Sequence, residues 1–161
     1  MLDPDLINRI RTIFLHPRPH VGISEATVLL GWSRGEMSRA IATGEVEVAS
    51  TSVGKWIWRA ELMAKAMELW APEVIEEALG ADAASVLPEA VRLIDLHVRL
   101  PRHHVAMLEH FAERDRTTVS GVLARELDDV ASAHADELSG VIAGFADALA
   151  WPDADAAQLP C

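Results

Sequence analysis

The chain has 161 residues, 50% hydrophobic and 24% charged, which is enough apolar material for a buried core and too much for disorder throughout. It has no run of about 18 apolar residues, so a membrane span is not expected. Its only cysteine, Cys161, excludes an internal disulfide and a cysteine zinc cluster. The net charge of −11 opposes a nucleic-acid partner, but the acids are uneven: 126–161 holds eight and no Lys or Arg, 81–125 holds six against six bases, and 1–80 holds eleven against eight. The opening Met1-Leu2-Asp3-Pro4-Asp5 lacks the basic-then-apolar order of a secretion signal, which points to a cytoplasmic location.

In chain order, the first patterned stretch covers about residues 20–60. Ser24 is placed to cap a helix through Leu30, and Gly31 permits the left-handed turn that ends it. Ser33, with Glu36 three residues on, carries a capping-box signature for a second helix at 34–43, which Gly44 stops. Leu30, Trp32, Met37 and Ile41 form the expected core between these helices, a helix-turn-helix arrangement. A hairpin follows over 45–50 and 55–58, turning at Ser52-Val53-Gly54. Trp56 and Trp58 are expected to be buried between hairpin and helix, with stacking on single-stranded bases as the alternative. With its Leu30-Gly31-Trp32-Ser33 turn, the segment 20–64 resembles the excisionase and MerR-like helix-turn-helix family. The resemblance implies a recognition helix and a β-wing, with Arg34, Ser38 and Arg39 toward DNA and Lys55 on a phosphate. Thr27 stands where that family has a small alanine, and Gly35 weakens the helix by about 1 kcal/mol relative to alanine.

Residues 61–93 read as helical, with Leu62, Ala66 and Leu69 and also Met63, Met67 and Trp70 recurring at spacings of three and four. Pro72 ends that run and opens a helix to Leu79, stopped by Gly80, and 81–88 reads as a connector. The period then changes to two. Ile94, Leu96, Val98 and Leu100 alternate with Asp95, His97 and Arg99, the pattern of a half-buried strand. Pro101 stops it and opens a helix whose apolar face is Val105, Leu108, Phe111 and Ala112. Thr118 is the expected N-cap of a second helix carrying Val119, Val122, Leu123, Leu127 and Val130. A last amphipathic helix over 138–151 uses Leu138, Val141, Ile142, Phe145 and Leu149, and Pro152 ends it.

One strand with two helices has no sheet of its own. The economical solution is a two-fold dimer whose strands pair antiparallel, with Leu96, Val98 and Leu100 inside and Asp95, His97 and Arg99 on the outer face of a ribbon that fits the major groove. Asp95-Leu-His-Val-Arg-Leu-Pro-Arg102, a helix, and Arg116-Thr-Thr-Val-Ser-Gly-Val-Leu-Ala-Arg-Glu-Leu127 resemble the ribbon-helix-helix repressors and antitoxins. The resemblance implies base reading by Asp95, His97 and Arg99 and a backbone phosphate held at Thr117, Thr118 and Ser120. On physical grounds alone, a helix N-terminus attracts anions. A carboxylate such as Asp95 can accept from cytosine N4.

The expected organisation is therefore mainly α with minor β. It comprises a helix-turn-helix domain with a β-wing (1–64), a helical connector (65–93), a ribbon-helix-helix dimerisation module (94–134) and an acidic amphipathic helix and tail (135–161). The expected activity is that of a homodimer binding a pseudo-palindromic double-stranded DNA site, as a bacterial transcriptional regulator. The alternative is an antitoxin-type module whose acidic C-terminal helix, rather than folding back on the dimer, binds a basic protein such as a toxin. No Gly-rich phosphate loop, nucleophile elbow or paired catalytic carboxylates are present, so no enzyme and no cofactor are expected. His103 and His104 point about 100° apart on a helix and His110 is two turns away, so no metal site is expected. His97 and His103 suit a surface role, protonating against phosphate.

Overall fold

The computed structural model describes residues 2–51 and 54–152, and its architecture is mainly helical with a small three-stranded antiparallel sheet. Helix α1, Pro4–Leu15, starts where Asp3 accepts a hydrogen bond from the Asp5 N–H at 3.2 Å and Pro4 takes the first position. Its Ile10, Ile13 and Phe14 recur on one face and are fully buried against α4 (Arg59–Leu69) and α5 (Pro72–Leu79). Burying each such side chain contributes about 1.5–3 kcal/mol, and this helix was not anticipated.

Strand β1, His20–Gly22, leads directly into α2, Ile23–Leu30. The expected cap at Ser24 is not formed. Gly22 is the N-cap without a side-chain bond, because β1 delivers the chain to the helix one residue earlier. Gly31 ends α2 at φ 71°, a left-handed conformation that favours glycine, and the nearest atoms a Cβ would meet there belong to the movable guanidinium of Arg9. Helix α3, Arg34–Thr43, has the anticipated capping box: Ser33 Oγ accepts from the Glu36 N–H at 3.2 Å and Glu36 Oε2 accepts from the Ser33 N–H at 2.6 Å. These bonds hold the Glu36 carboxyl below its ordinary range, the one from the Ser33 backbone most of all. Leu30 and Met37 are buried, with Trp32 and Ile41 packed at the margin. Thr27 is also buried. Its hydroxyl donates to the Ile23 carbonyl at 2.6 Å, which satisfies the extra polar atom.

The hairpin is shorter than expected: β2 is Ala49–Thr51 and β3 is Gly54–Trp58. Of the anticipated turn, Ser52 and Val53 lie outside the described residues and Gly54 belongs to β3. Strand order is β1-β3-β2, with His20 opposite Trp58, Gly22 opposite Trp56 and Ala49 also opposite Trp56. The expected burial of the tryptophans is wrong. Ile57 is the core-facing residue of β3, so the period of two turns Trp56 and Trp58 outward, and Trp58 is 46% exposed. His20 meets their ring edges, with centroids at 5.0 and 6.2 Å.

After α5 the connector contains a single 3₁₀ turn and a short helix, α6, Ala83–Val86. Residues 93–101 lie in no helix, strand or turn. The strand expected there has no antiparallel mate among the described residues, so no ladder forms and neither of its faces is covered. Ile94 is 87% exposed, Leu96 77%, Val98 55% and Leu100 42%. Helices α7, Arg102–Asp115, and α8, Val119–Ala133, pack as a hairpin over a core of only Leu108, Ala112 and Val122, flanked by Phe111. The expected single C-terminal helix over 138–151 is broken into α9, Ala135–Val141, and α10, Phe145–Ala150, because Gly144 adopts φ 77° between them. Trp151 then folds back and stacks on Phe14 at 6.3 Å, buried in the main core. Among the described residues no helix is long and apolar enough to cross a membrane.

Candidate nucleic-acid interface

Helix α3 leans Met37 and Ala40 into the core, so at about 100° per residue its outward face is Gly35, Ser38, Arg39 and Ala42, with Arg34 on one flank. These are mostly small side chains around exposed cations, a shape that permits close approach to a groove. Lys55 is exposed on β3, paired across to Ser50.

Ion pairing separates the cations of this region into two groups. Arg9 pairs with Asp5 at 3.1 Å, Arg11 with Asp82 at 2.6 Å, Arg18 with Glu25 at 3.5 Å and Lys65 with Glu68 at 2.8 Å. Arg59 donates to the His16 carbonyl at 2.9 Å. Arg34, Arg39 and Lys55 have no acidic partner within 4.0 Å among the described residues, so their charge remains available to an outside anion. Arg39 is nevertheless close enough to Glu36 to help hold its carboxyl low.

In the second region Asp95, His97 and Arg99 are all exposed. They are not equivalent. Asp95 borders an acidic recess with Glu73, Glu76 and Glu77, which disfavours phosphate there, whereas Arg99 and Arg102 are unpaired among the described residues. Arg102 and Arg116 were not singled out from the sequence, although both stand inside the segments that carry the ribbon-helix-helix resemblance. Arg116 ends α7 in a left-handed conformation at φ 53°. His103 and His104 have ring centroids 4.2 Å apart. Among the described residues no three His, Cys, Asp or Glu side chains converge to hold a metal.

The N-terminus of α8 is built by Thr117 and Thr118. The Thr117 N–H donates to the Ala112 carbonyl at 2.9 Å, and Thr118 Oγ1 accepts from the Gly121 N–H at 2.9 Å, the anticipated cap. A Cβ on Gly121 would come within 2.5 Å of Thr117 Oγ1, so glycine makes room for that side chain. Ser120 is exposed. Asp115 staples the turn by accepting from Arg114 at 2.6 Å and Arg125 at 2.9 Å. These bonds, Arg114's first, bring its carboxyl down to about 2. The turn does not stand free: Thr118 Oγ1 also donates to Glu73 Oε1, 3.3 Å away on α5, a contact across 45 residues with no signature in the sequence.

No protein-family model matches the chain, and no curated protein or solved structure matches it either.

Proposed function

We propose that the chain is a homodimeric, sequence-specific DNA-binding protein, a bacterial transcriptional regulator, with a ribbon-helix-helix module at 94–134 and a helix-turn-helix with β-wing at 20–64. The observation that carries this reading is the alternating row Ile94, Leu96, Val98 and Leu100, left in water immediately before a helix hairpin whose own core is three small-to-medium side chains. Such a unit is too small to be stable alone, and an antiparallel second copy covers the row and supplies the missing sheet. The ribbon so formed presents His97 and Arg99 to base edges and leaves Asp95 toward the acidic recess. Arg34, Ser38, Arg39 and Lys55 form the second contact region, a reading supported by Arg34, Arg39 and Lys55 having no ion-pair partner among the described residues.

The reading makes no use of covalent chemistry, and the protein is proposed as a binder without cofactor. The C-terminal α9 and α10 favour a second, protein-binding role for the tail, because Val141, Ile142 and Leu149 remain exposed beside Asp136, Glu137 and Asp147. A basic partner such as a toxin fits that surface.

The test is sedimentation equilibrium together with gel shifts on genomic fragments at two salt concentrations. A dimer whose DNA affinity falls steeply with salt supports the reading. A monomer at micromolar concentration, or a dimer indifferent to DNA at low salt, refutes it.

A further inference from the structure

We propose that the seat of Trp151 is a docking pocket for a basic peptide segment of a partner protein, anchored by phenylalanine, and that Trp151 fills it in the free chain as a stand-in. The proposal does not depend on the DNA-binding reading. The seat is built by Phe14, Pro72, Ile75, Leu87, Val91 and Leu93, and with the indole in place about 30 Å³ stays unfilled. Trp151 is 7% exposed there and stacks on Phe14 with centroids 6.3 Å apart. Among the described residues, no other side chain after Val91 belongs to the main core. Val141, Ile142 and Leu149, on the way to it, are all exposed. One aromatic anchor in an apolar pocket, on a segment otherwise in water, is the way short peptide segments dock.

Two mismatches mark the chain's own segment as the weaker occupant. The first is in the seat: Trp151 Nε1 is buried and has no hydrogen-bond partner among the described residues, so its desolvation is not recovered. A phenylalanine ring offers the same stacking face to Phe14 and brings no N–H. The second is beside the seat. A recess of about 470 Å³ opens next to it, shares Glu76 and Leu93 with it, and is lined further by Glu73, Glu77 and Asp95. None of these four carboxylates has an ion-pair partner among the described residues. The sequence around Trp151 carries Asp147, Asp153 and Asp155, and no Lys or Arg occurs from 126 onward, so it cannot complement that recess. Lysines or arginines flanking the anchor of a partner segment do. The seat also gives the exchange a consequence. Leu93, whose N–H donates to Glu76 Oε1 at 2.6 Å, and Trp151 both line it, so the stretch 94–150 leaves and returns at one point. A partner that takes the seat releases one end of that stretch.

The probe is a fluorescein-labelled peptide with one phenylalanine followed by three lysines in a glycine–serine frame. Its controls replace the phenylalanine by alanine or the lysines by serine. Anisotropy is read on the full chain and on Trp151→Ala and Glu77→Lys, all below their melting temperatures. Trp151→Ala, freed of the competitor in the same chain, is expected to bind the probe at least roughly tenfold more tightly than the wild type. Glu77 is exposed, and Glu77→Lys is expected to weaken binding by roughly fivefold, a difference that fades at about 1 M salt. In the wild type, millimolar probe is expected to move the indole N–H resonance of Trp151, assigned by its absence in Trp151→Phe, to the position of a solvated indole. The inference is overturned if folded Trp151→Ala gains no affinity, if either control peptide binds as well as the probe, or if the Trp151 resonance stays in place. Should Trp151→Ala not fold, the wild-type titration with the same three peptides decides.

Discussion

Leu96→Ala separates what one chain does with its apolar row from what two chains do with it. The substitution removes three carbons, about 2.4 kcal/mol at about 0.8 kcal/mol per buried group. Leu96 is 77% exposed in the single chain, so about three quarters of that transfer is not realised there. The chain's own stability should therefore change by less than about 0.6 kcal/mol. If a two-fold partner covers the row, the unrealised part, about 2 kcal/mol, is lost once in each protomer. The dimer then weakens by about 4 kcal/mol, roughly a thousandfold in Kd. Sedimentation equilibrium measures the Kd, and urea unfolding under monomeric conditions measures the chain. A Kd within about threefold of the wild type refutes the reasoning. So does a loss of monomer stability as large as the loss of association, which would place Leu96 in the core of one chain.

Arg99→Ala should abolish preference for a specific DNA site over random duplex while leaving the dimer intact, read by competition gel shift and sedimentation; loss of the dimer instead would make Arg99 structural. Replacing Arg34, Arg39 and Lys55 together by alanine should lower the slope of log affinity against log salt by about 2–3 units, since each phosphate contact contributes about 0.9. Trp151→Ala should destabilise the fold by about 3 kcal/mol in urea unfolding, because it empties the seat against Phe14, whereas Leu149→Ala, half in water, should be near neutral. Asp115 has a folded value of about 2, below its ordinary 3.8, so its contribution is complete above 3.8 and is lost as pH falls through about 2. The melting difference between wild type and Asp115→Asn should accordingly shrink between pH 4 and pH 2 and vanish below, and a difference that persists undiminished would reject the staple.

The parts of this fold that were legible in the sequence are those set by local chemistry. The Ser33–Glu36 capping box, the left-handed ends at Gly31 and Gly44, the Pro72 start and the Thr118 cap all depend on neighbours within four residues, and all are present. Helix α1 carries an equally local signal, Asp3-Pro4 before Ile10, Ile13 and Phe14. What was misread depends on distant partners. Period two in β3 showed that one face is buried but not which one. β1 decides it by setting His20 beside the two tryptophans and Ile57 against the core. The C-terminal stripe looked continuous because Gly144 permits a helix as readily as a left-handed break, and the seat for Trp151 is assembled from α1, α5 and the connector. The Glu73–Thr118 contact was illegible for the same reason.

A net charge of −11 is a sum, and a bound phosphate does not feel the sum. At physiological salt it feels charges within about 8 Å. Asp5, Asp82, Glu25, Glu68 and Asp115 are committed to arginines and lysines of this same chain, and they neutralise those cations as far as an outside ligand is concerned. The cations left over include Arg34, Arg39 and Lys55 on α3 and β3, and Arg99, Arg102 and Arg116 along the ribbon segment and the ends of α7. Of the acids not so committed, Asp136 and Asp147 lie in the tail helices and Glu73, Glu76 and Glu77 on α5, whereas Glu36 and Glu45 stand beside Arg39 and Asp95 lies in the ribbon segment itself. The local balance of charge, and not the sum, therefore decides where the proposed DNA contact forms.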